Sequence, residues 1–159
     1  MGNVGGRLAK EIRQTKPFAS REEEAMLNLA RTCESLNQRL VGFLKTYGLT
    51  ATQYNMLRIL RGAGSDGVTC SQATERMLSP DPDITRLLDR MEERKLIRRE
   101  RSREDRRVVV TWISPEGLEL VNRIDQPLAA FHKRNMSHVG QRRLEELIDI
   151  LESLRDEKE

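Results

Sequence analysis

The chain has 159 residues, enough for one domain or for one domain with an added oligomerisation element, and 37% of them are apolar. Although 33% are charged, the apolar residues recur periodically, which excludes a disordered chain, and no apolar run is long enough to predict a membrane span. The net charge of +3 is uneven: residues 86–107 hold 10 Lys/Arg against 6 Asp/Glu, whereas residues 140–159 hold 4 against 7, a distribution typical of a face that binds a polyanion.

Residues 1–19 contain glycine and proline with little periodicity, and they are predicted to form a mobile arm with at most one short helical piece. A helix begins after Ser20, which forms a predicted capping box with Glu23. The helix ends at Gly48. Apolar residues alternate at steps of three and four over about six turns, so this seam is expected to pack against a second subunit. The seam consists of Met26, Leu29, Cys33, Leu36, Leu40, Phe43 and Tyr47.

Three shorter helices are predicted next. Capping boxes at Thr50–Gln53 and Thr69–Gln72 open the first two. In the third, Asp81 is expected to cap the helix and Pro82 to occupy its first position, since proline there loses no intrahelical hydrogen bond. This third helix is predicted to end at about Lys95.

A β-hairpin and two further helices complete the pattern. Residues 96–101 and 108–113 flank a polar turn and predict the two strands. Ser114–Pro115 opens a helix that Pro127 is expected to kink or break. Its predicted apolar face is Leu118, Val121, Ile124, Leu128 and Phe131. The apolar face of the last helix is Leu144, Leu147, Ile148, Leu151 and Leu154.

Three helices followed by a hairpin predict a mainly α-helical protein with a small β-hairpin wing, that is, a winged helix-turn-helix with a helical dimerisation domain. An α-helix fits the major groove of DNA, and a basic hairpin beside it can reach along the phosphates into the minor groove. The predicted division is an arm (1–19), a DNA-binding domain (49–114) and a dimerisation region (20–48 and 115–159).

Two sequence blocks carry a resemblance to a known family. The run Ile84–Glu92, followed by Leu96–Arg99, resembles the recognition helix of MarR-family transcriptional regulators. Asp105–Arg107, followed by Ser114 and Gly117, resembles the wing of the same family. The match covers about residues 49–120. One departure is Lys95, which stands where the family usually has the glycine that ends the recognition helix in a left-handed conformation.

The resemblance implies a triangular homodimer that binds a pseudo-palindromic site on double-stranded DNA, with two recognition helices in successive major grooves. It also implies control by a small molecule or an oxidant, and a cytoplasmic ligand-responsive repressor is expected. The DNA-contacting residues that it implies are Ser71, Gln72, Asp83, Thr85, Arg86, Arg90, Arg103, Asp105, Arg106 and Arg107. The dimerisation residues are Leu29, Leu36, Leu40, Leu144, Leu147 and Leu151.

Roles follow for some of these residues. Thr85 and Arg86 are expected at base edges or phosphates, and Arg90 as a phosphate contact or a strut. Arg107 is expected in the minor groove, oriented by a salt bridge from Asp105. Ser71 and Gln72 are placed to bind phosphate at a helix N-terminus, and one of the acids at 81–83 is placed to bind a cytosine amino group. The arginines within 98–101 are expected to lie near DNA.

Several remaining residues have simpler interpretations. Cys33 and Cys70 are too few for a disulfide framework, and Cys33 is expected to be a buried packing residue rather than a redox sensor. His132 and His138 have no metal-ligand spacing and are expected at the surface. Trp112 is expected to pack against a neighbouring helix. No cofactor, metal or catalytic constellation is indicated, and the alternative function is a winged-helix module that binds another protein.

Overall fold

The computed structural model describes residues 6–79, 81–102 and 104–156. The chain divides into two compact units, Met1–Ala51 and Thr52–Glu159, which are described separately. Helices dominate both units, and the β-structure is one small sheet in the second. Within the described residues, no helix is both long and apolar enough to cross a membrane.

The first unit consists of α1 (Arg7–Glu11) and α2 (Arg21–Lys45). The α1 helix lies inside the predicted arm and buries Leu8. At the start of α2, the Ser20 hydroxyl accepts a hydrogen bond from the Glu23 N–H at 3.2 Å, as predicted. The second half of the predicted capping box is wrong, because the Glu23 carboxylate accepts from the N–H of Ala19, one residue before the cap.

The apolar seam of α2 is only partly covered in the single chain. Its residues Leu29, Leu36 and Leu40 are half-buried, and Met26 is exposed. Cys33 is exposed as well, so its predicted burial is wrong for the single chain. The helix ends at Lys45, before the predicted end at Gly48, and Gly48 takes the left-handed conformation with φ of 69°.

Three helices precede the β-hairpin in the chain: α3 (Ala51–Ala63), α4 (Cys70–Arg76) and α5 (Ile84–Glu93). The predicted capping box of α4 is confirmed. The Thr69 hydroxyl accepts from the Gln72 N–H at 3.3 Å, and the Gln72 side-chain oxygen accepts from the Thr69 N–H at 2.9 Å. These two bonds satisfy donors that a helix start otherwise leaves free.

The predicted start of α5 is wrong by two residues. Asp83, not Asp81, is the N-cap, and its carboxylate accepts a hydrogen bond from the Arg86 N–H at 3.4 Å. The Asp81 carboxylate instead accepts from the Asp83 N–H at 2.9 Å, which closes a turn before the helix. Both acids therefore organise the local backbone, and Pro82 lies in the turn rather than in α5.

The sheet has three antiparallel strands in the order β1–β3–β2: β1 (Val68–Thr69), β2 (Ile97–Arg101) and β3 (Val109–Ile113). The predicted hairpin of β2 and β3 is confirmed to within one residue, with Arg99 opposite Thr111. The first strand was not predicted, because two residues show no periodicity. The Trp112 indole donates to the Ser65 carbonyl at 2.9 Å, so it packs on the 3₁₀ turn Gly64–Asp66, and its packing against a neighbouring helix stays a prediction.

The corner between α5 and β2 turns at a non-glycine residue. Lys95 has φ of 57°, the left-handed conformation that the family's glycine would adopt freely. The Lys95 N–H donates to the Glu92 carbonyl at 2.8 Å, and the Leu96 N–H donates to the Met91 carbonyl at 2.9 Å. This pair of bonds is the Schellman motif. The corner therefore keeps the geometry of a glycine-terminated helix despite the strain of a side chain, about 1–2 kcal/mol.

Two long helices close the chain: α6 (Pro115–Met136) and α7 (Gln141–Ser153). The α6 helix continues through Pro127, so the prediction of a break is wrong. Its predicted apolar face is confirmed except at Leu118, which is 38% exposed, whereas Leu120 is 9% exposed. Arg61 of α3 binds the Asp125 carboxylate of α6 through both guanidinium ends, at 2.7 and 3.1 Å.

Candidate DNA interface

One face of α5 is buried and the opposite face is open. Leu87, Leu88 and Met91 are buried. Because side chains repeat on a helix face at every third and fourth residue, the exposed Thr85, Arg86 and Arg90 lie on the other side. Thr85 and Arg86 are in the first turn, where a helix in the major groove presents its side chains to base edges.

Arg86 and Asp83 form an ion pair at the start of α5. The Arg86 Nε lies 3.4 Å from an Asp83 oxygen, and the two side chains are 73% and 54% exposed. An exposed pair of this kind contributes little stability, so it leaves the guanidinium available to another acceptor. The Asp83 carboxylate also caps the helix, so a contact from Asp83 to a cytosine, as expected from the sequence, would have to replace these bonds.

Ser71 and Gln72, which were predicted to bind phosphate at the start of α4, are both exposed. Their side chains differ in the hydrogen bonds that they already make. The Gln72 side-chain oxygen is used in the capping box. The Ser71 hydroxyl makes a long contact of 3.4 Å with Glu75, one turn later. The amide NH₂ of Gln72 and the hydroxyl of Ser71 are therefore the side-chain groups of this pair that are suited to donate to a phosphate.

The turn between β2 and β3 exposes Arg106 and Arg107. Asp105 does not act as predicted: its carboxylate accepts from the backbone N–H of Arg107 at 2.9 Å, so it shapes the turn rather than pairing with the Arg107 guanidinium. This difference arises because the short side chain of an aspartate in a turn readily accepts a hydrogen bond from the backbone N–H two residues ahead. The guanidinium of a long arginine side chain is a less accessible partner. Arg103, also predicted to contact DNA, lies outside the described residues.

The arginines of β2 have separate roles. Arg98 lies over the Trp112 ring at 4.5 Å and pairs with Glu100 at 2.6 Å. Arg99 turns inward, with a side chain that is 22% exposed, and binds Asp89 and Glu92 of α5, each at 2.6 Å. Arg99 is therefore engaged with α5, and the expectation that the run lies near DNA stays a prediction.

The alternation of side chains along β2 could have predicted that Arg99 pairs with the acids of α5. Residues two apart on a strand share a face, so Arg99 lies on the same face as the buried Ile97. An arginine at an inward position requires acidic partners, and α5 carries three acids, of which Asp89 and Glu92 are half-buried and Glu93 is exposed. The hydrogen bonds that Arg99 donates to the Glu92 carboxylate raise the pKa of Arg99, and the bond that it donates to Asp89 adds to this effect.

Metal-ligating side chains do not cluster in the described residues: no three of His, Cys, Asp and Glu lie in an arrangement that could hold an ion. His132 and His138 are both exposed. Cys70 is half-buried at the first position of α4. The chemical character of the candidate site therefore comes from hydroxyl, amide and guanidinium donors, which suit phosphate oxygens and base edges.

Comparisons with known proteins agree with this geometry. A model of the MarR family matches residues 47–108, the segment that holds every candidate DNA contact. The transcriptional regulator MhqR of Bacillus subtilis is 27% identical over 123 residues, which cover 77% of this chain and 83% of that protein.

Solved structures extend the likeness beyond the matched segment. A MarR transcription factor from Planctomyces limnophilus is 36% identical, with a TM-score of 0.67, over 85% of this chain and 98% of that one. MepR of S. aureus, solved as a DNA complex, shares the fold at 20% identity and a TM-score of 0.72, over 79% of this chain and 92% of its own. This chain belongs to the MarR family of transcriptional regulators.

Proposed function

We propose that the protein is a sequence-specific, ligand-responsive repressor that binds a pseudo-palindromic operator as a homodimer. The observation that carries the proposal is the open face of α5, with Thr85, Arg86 and Arg90, in the same compact unit as the exposed Arg106 and Arg107 of the wing. We assign three partners to the chain: double-stranded DNA, a second copy of itself and a small-molecule effector that changes DNA affinity.

The two parts of this surface have different tasks. Arg86, in the first turn of α5, offers planar donors that match the N7 and O6 atoms of guanine in the major groove. The wing arginines would contact the minor groove or phosphates. Contacts of this kind carry less sequence information than contacts to base edges in the major groove. The helix therefore supplies specificity, and the wing supplies affinity that depends on salt.

The wing is tested by removing Arg107. Binding to duplex DNA should weaken steeply with salt, with a log–log slope of about −0.9 for each phosphate neutralised. Arg107→Ala should lower affinity and flatten that slope by about one contact. Fluorescence anisotropy with a duplex selected by the wild-type protein from a random library measures both quantities.

The matched control is Arg21→Ala, which removes the same charge from a side chain that is 92% exposed at the start of α2. This variant should bind as the wild type does. Equal affinity and salt slope in Arg107→Ala and the wild type would show that the wing turn does not contact DNA. A wild-type protein that binds no duplex at low salt would favour the protein-binding alternative.

Dimerisation is proposed through the apolar face of α2, together with the leucine face of α7. On α2, Leu29, Leu36 and Leu40 are half-buried in the single chain. No residue of α7 is fully buried: Ile148 is 53% exposed, and Leu154, directly after the helix, is 62% exposed. Apolar stripes of this length on amphipathic helices are stable in water when a partner covers them.

Leu36→Glu tests the α2 face. A charge at the centre of an apolar interface, introduced twice by the dimer symmetry, should shift the protein to monomer or make it insoluble. Light scattering after size-exclusion chromatography at micromolar concentration measures the mass. Gln38→Glu, on the opposite face of α2, is the control and should remain dimeric. A wild-type chain that is a stable monomer would show that the dimer prediction is wrong.

A further inference from the structure

The Arg99 side chain bridges the corner between α5 and the wing, and it is not one of the exposed candidate DNA contacts. The wing is defined here as β2, β3 and the turn between them. The Arg99 Nη2 lies 2.6 Å from Asp89 Oδ1 and 2.6 Å from Glu92 Oε2, and its Nε donates to the same Glu92 oxygen at 2.9 Å. The Arg99 backbone N–H adds a bond to Glu92 Oε1 at 3.2 Å.

We propose that Arg99 is a positioning residue for DNA binding: it holds the wing at a defined angle to α5 and does not itself contact DNA. The inference rests on the proposed function, because it concerns how two DNA-contacting parts are kept in register. Arg99, Asp89 and Glu92 are called the corner clamp below.

The backbone at the corner explains why a clamp is needed. Only three residues separate the end of α5 at Glu93 from the start of β2 at Ile97. The turn depends on Lys95 in the left-handed conformation, which a side chain disfavours. The Ser114 hydroxyl supports it by donating to the Lys95 carbonyl at 2.6 Å. Arg99 reaches back across this strained turn and ties the strand to two successive turns of the helix.

The clamp is stronger than an ordinary surface ion pair. Asp89 and Glu92 are 48% and 39% exposed, and Arg99 is 22% exposed, so the group is partly withdrawn from water. The guanidinium uses several donors in a fixed fork, which imposes direction as well as attraction. A lysine has the same charge but lacks this fork, so it would neutralise the acids without fixing the angle.

The position of Asp89 gives the clamp a direct bearing on the DNA face. Asp89 lies three residues after Arg86 and four after Thr85, hence on the same side of α5. Arg99 keeps this carboxylate paired and directed towards β2. Without the clamp, both the angle of the wing and the charge beside Arg86 would change, and the experiment must separate these two effects.

The first test compares affinities for the duplex selected by the wild-type protein. Arg99→Met should lower affinity about tenfold and flatten the salt slope to the value of Arg107→Ala, because the wing that carries the Arg107 contact is no longer held against the groove. Arg99→Lys should fall close to Arg99→Met. Arg21→Ala, the charge-removal control for Arg107→Ala, should bind nearly as the wild type does. If adding Arg99→Met to Arg107→Ala flattened the slope by a further contact, Arg99 itself would touch phosphate, and the proposal would be wrong.

A variant without charges separates geometry from electrostatics. Asp89→Asn, Glu92→Gln and Arg99→Gln combined remove the clamp together with the repulsion that unpaired acids would cause. This triple variant should stay as weak as Arg99→Met. Wild-type affinity in the triple variant would show that charge pairing, not the angle of the wing, is what Arg99 provides.

A further measurement is the affinity lost on Arg107→Ala, compared between the wild type and Arg99→Met. If Arg99 only stabilised the fold, this loss would be the same in both backgrounds. In the wild type, Arg107→Ala should cost affinity. In the Arg99→Met background the same change should cost much less, because the wing is no longer held against the groove. Fully additive losses would show that the wing reaches DNA without the clamp, which contradicts the proposal.

A measurement without DNA keeps this inference separate from the proposed function. Spin labels at Glu93→Cys and Glu104→Cys, with Cys33→Ser and Cys70→Ser, report the distance between the end of α5 and the wing turn. The distance distribution should be narrow when Arg99 is present and broader in the Arg99→Met and Arg99→Lys variants. Thermal unfolding verifies that each variant is folded, and Arg99→Lys carries the test should Arg99→Met unfold. Unchanged distributions in a folded variant would overturn the proposal even if DNA binding itself were absent.

Discussion

Gly117→Ala should destabilise the fold by about 3 kcal/mol, near the upper end for overpacking a closed site. A Cβ at this position would lie 2.1 Å from the Leu96 carbonyl oxygen and 3.0 Å from the Leu96 carbonyl carbon. These atoms are backbone, so they cannot rotate away as the end of a side chain could. They also lie at the corner where Ser114 donates to Leu96 through its N–H at 3.1 Å.

Urea unfolding followed by circular dichroism measures the loss, and the midpoint of thermal unfolding should fall by roughly 10 °C. The matched control is Gly62→Ala, where nothing lies within 4 Å of the added Cβ. There, alanine should be neutral or stabilise the protein by up to about 1 kcal/mol, because it lowers the entropy of the unfolded chain. Equal stabilities of the two variants would show that Leu96 can yield, contrary to the expectation.

Arg86→Ala should remove base discrimination at one position in each half-site, at a cost of about 1–3 kcal/mol for each lost bidentate contact. The side chain is 73% exposed in the first turn of α5, and its only ion pair is the weak one to Asp83 among the described residues. The half-sites should lie about 34–36 Å apart or a multiple of that, since each recognition helix enters a major groove on the same side of the duplex.

Selection of binding sites from a random library, performed on the wild type and on Arg86→Ala, measures this effect directly. Arg90→Ala is the matched control: Arg90 lies one turn later on the same face and is expected at a phosphate or as a strut. Its removal should weaken all sequences evenly. Identical base preferences in Arg86→Ala and the wild type, with only overall weakening, would mean that Arg86 positions the protein and does not read sequence.

Interactions between near neighbours in the chain were the most predictable part of the fold. The box of Thr69 and Gln72 was predicted correctly because both partners lie within one helical turn. The start of α5 was missed because Asp81 and Asp83 are both good caps, and the choice depends on which carboxylate meets the Arg86 N–H. Pro127 was expected to kink or break α6, and the helix continues through it.

Contacts between distant segments were not predictable in the same way. The β1 strand consists of two residues and exists because β3 is available to pair with it. Trp112 finds its partner in the turn at Ser65, 47 residues earlier in the chain. No local pattern identifies such a partner, because the packing of the sheet on the helices sets the distance between Trp112 and Ser65.

The sequence by itself determined the order of helices and hairpin, the exposed basic residues of α5 and the wing, and the family resemblance, since these follow from periodicity, caps and short motifs that depend on local physics. Tertiary structure alone decided the roles of individual charges. Arg98, Arg99 and Arg107 look alike in a basic run, but one covers Trp112, one clamps the corner to Asp89 and Glu92, and one stays open in the turn. The reason is physical: a charge acts on whatever lies within a few ångströms, and folding chooses those neighbours.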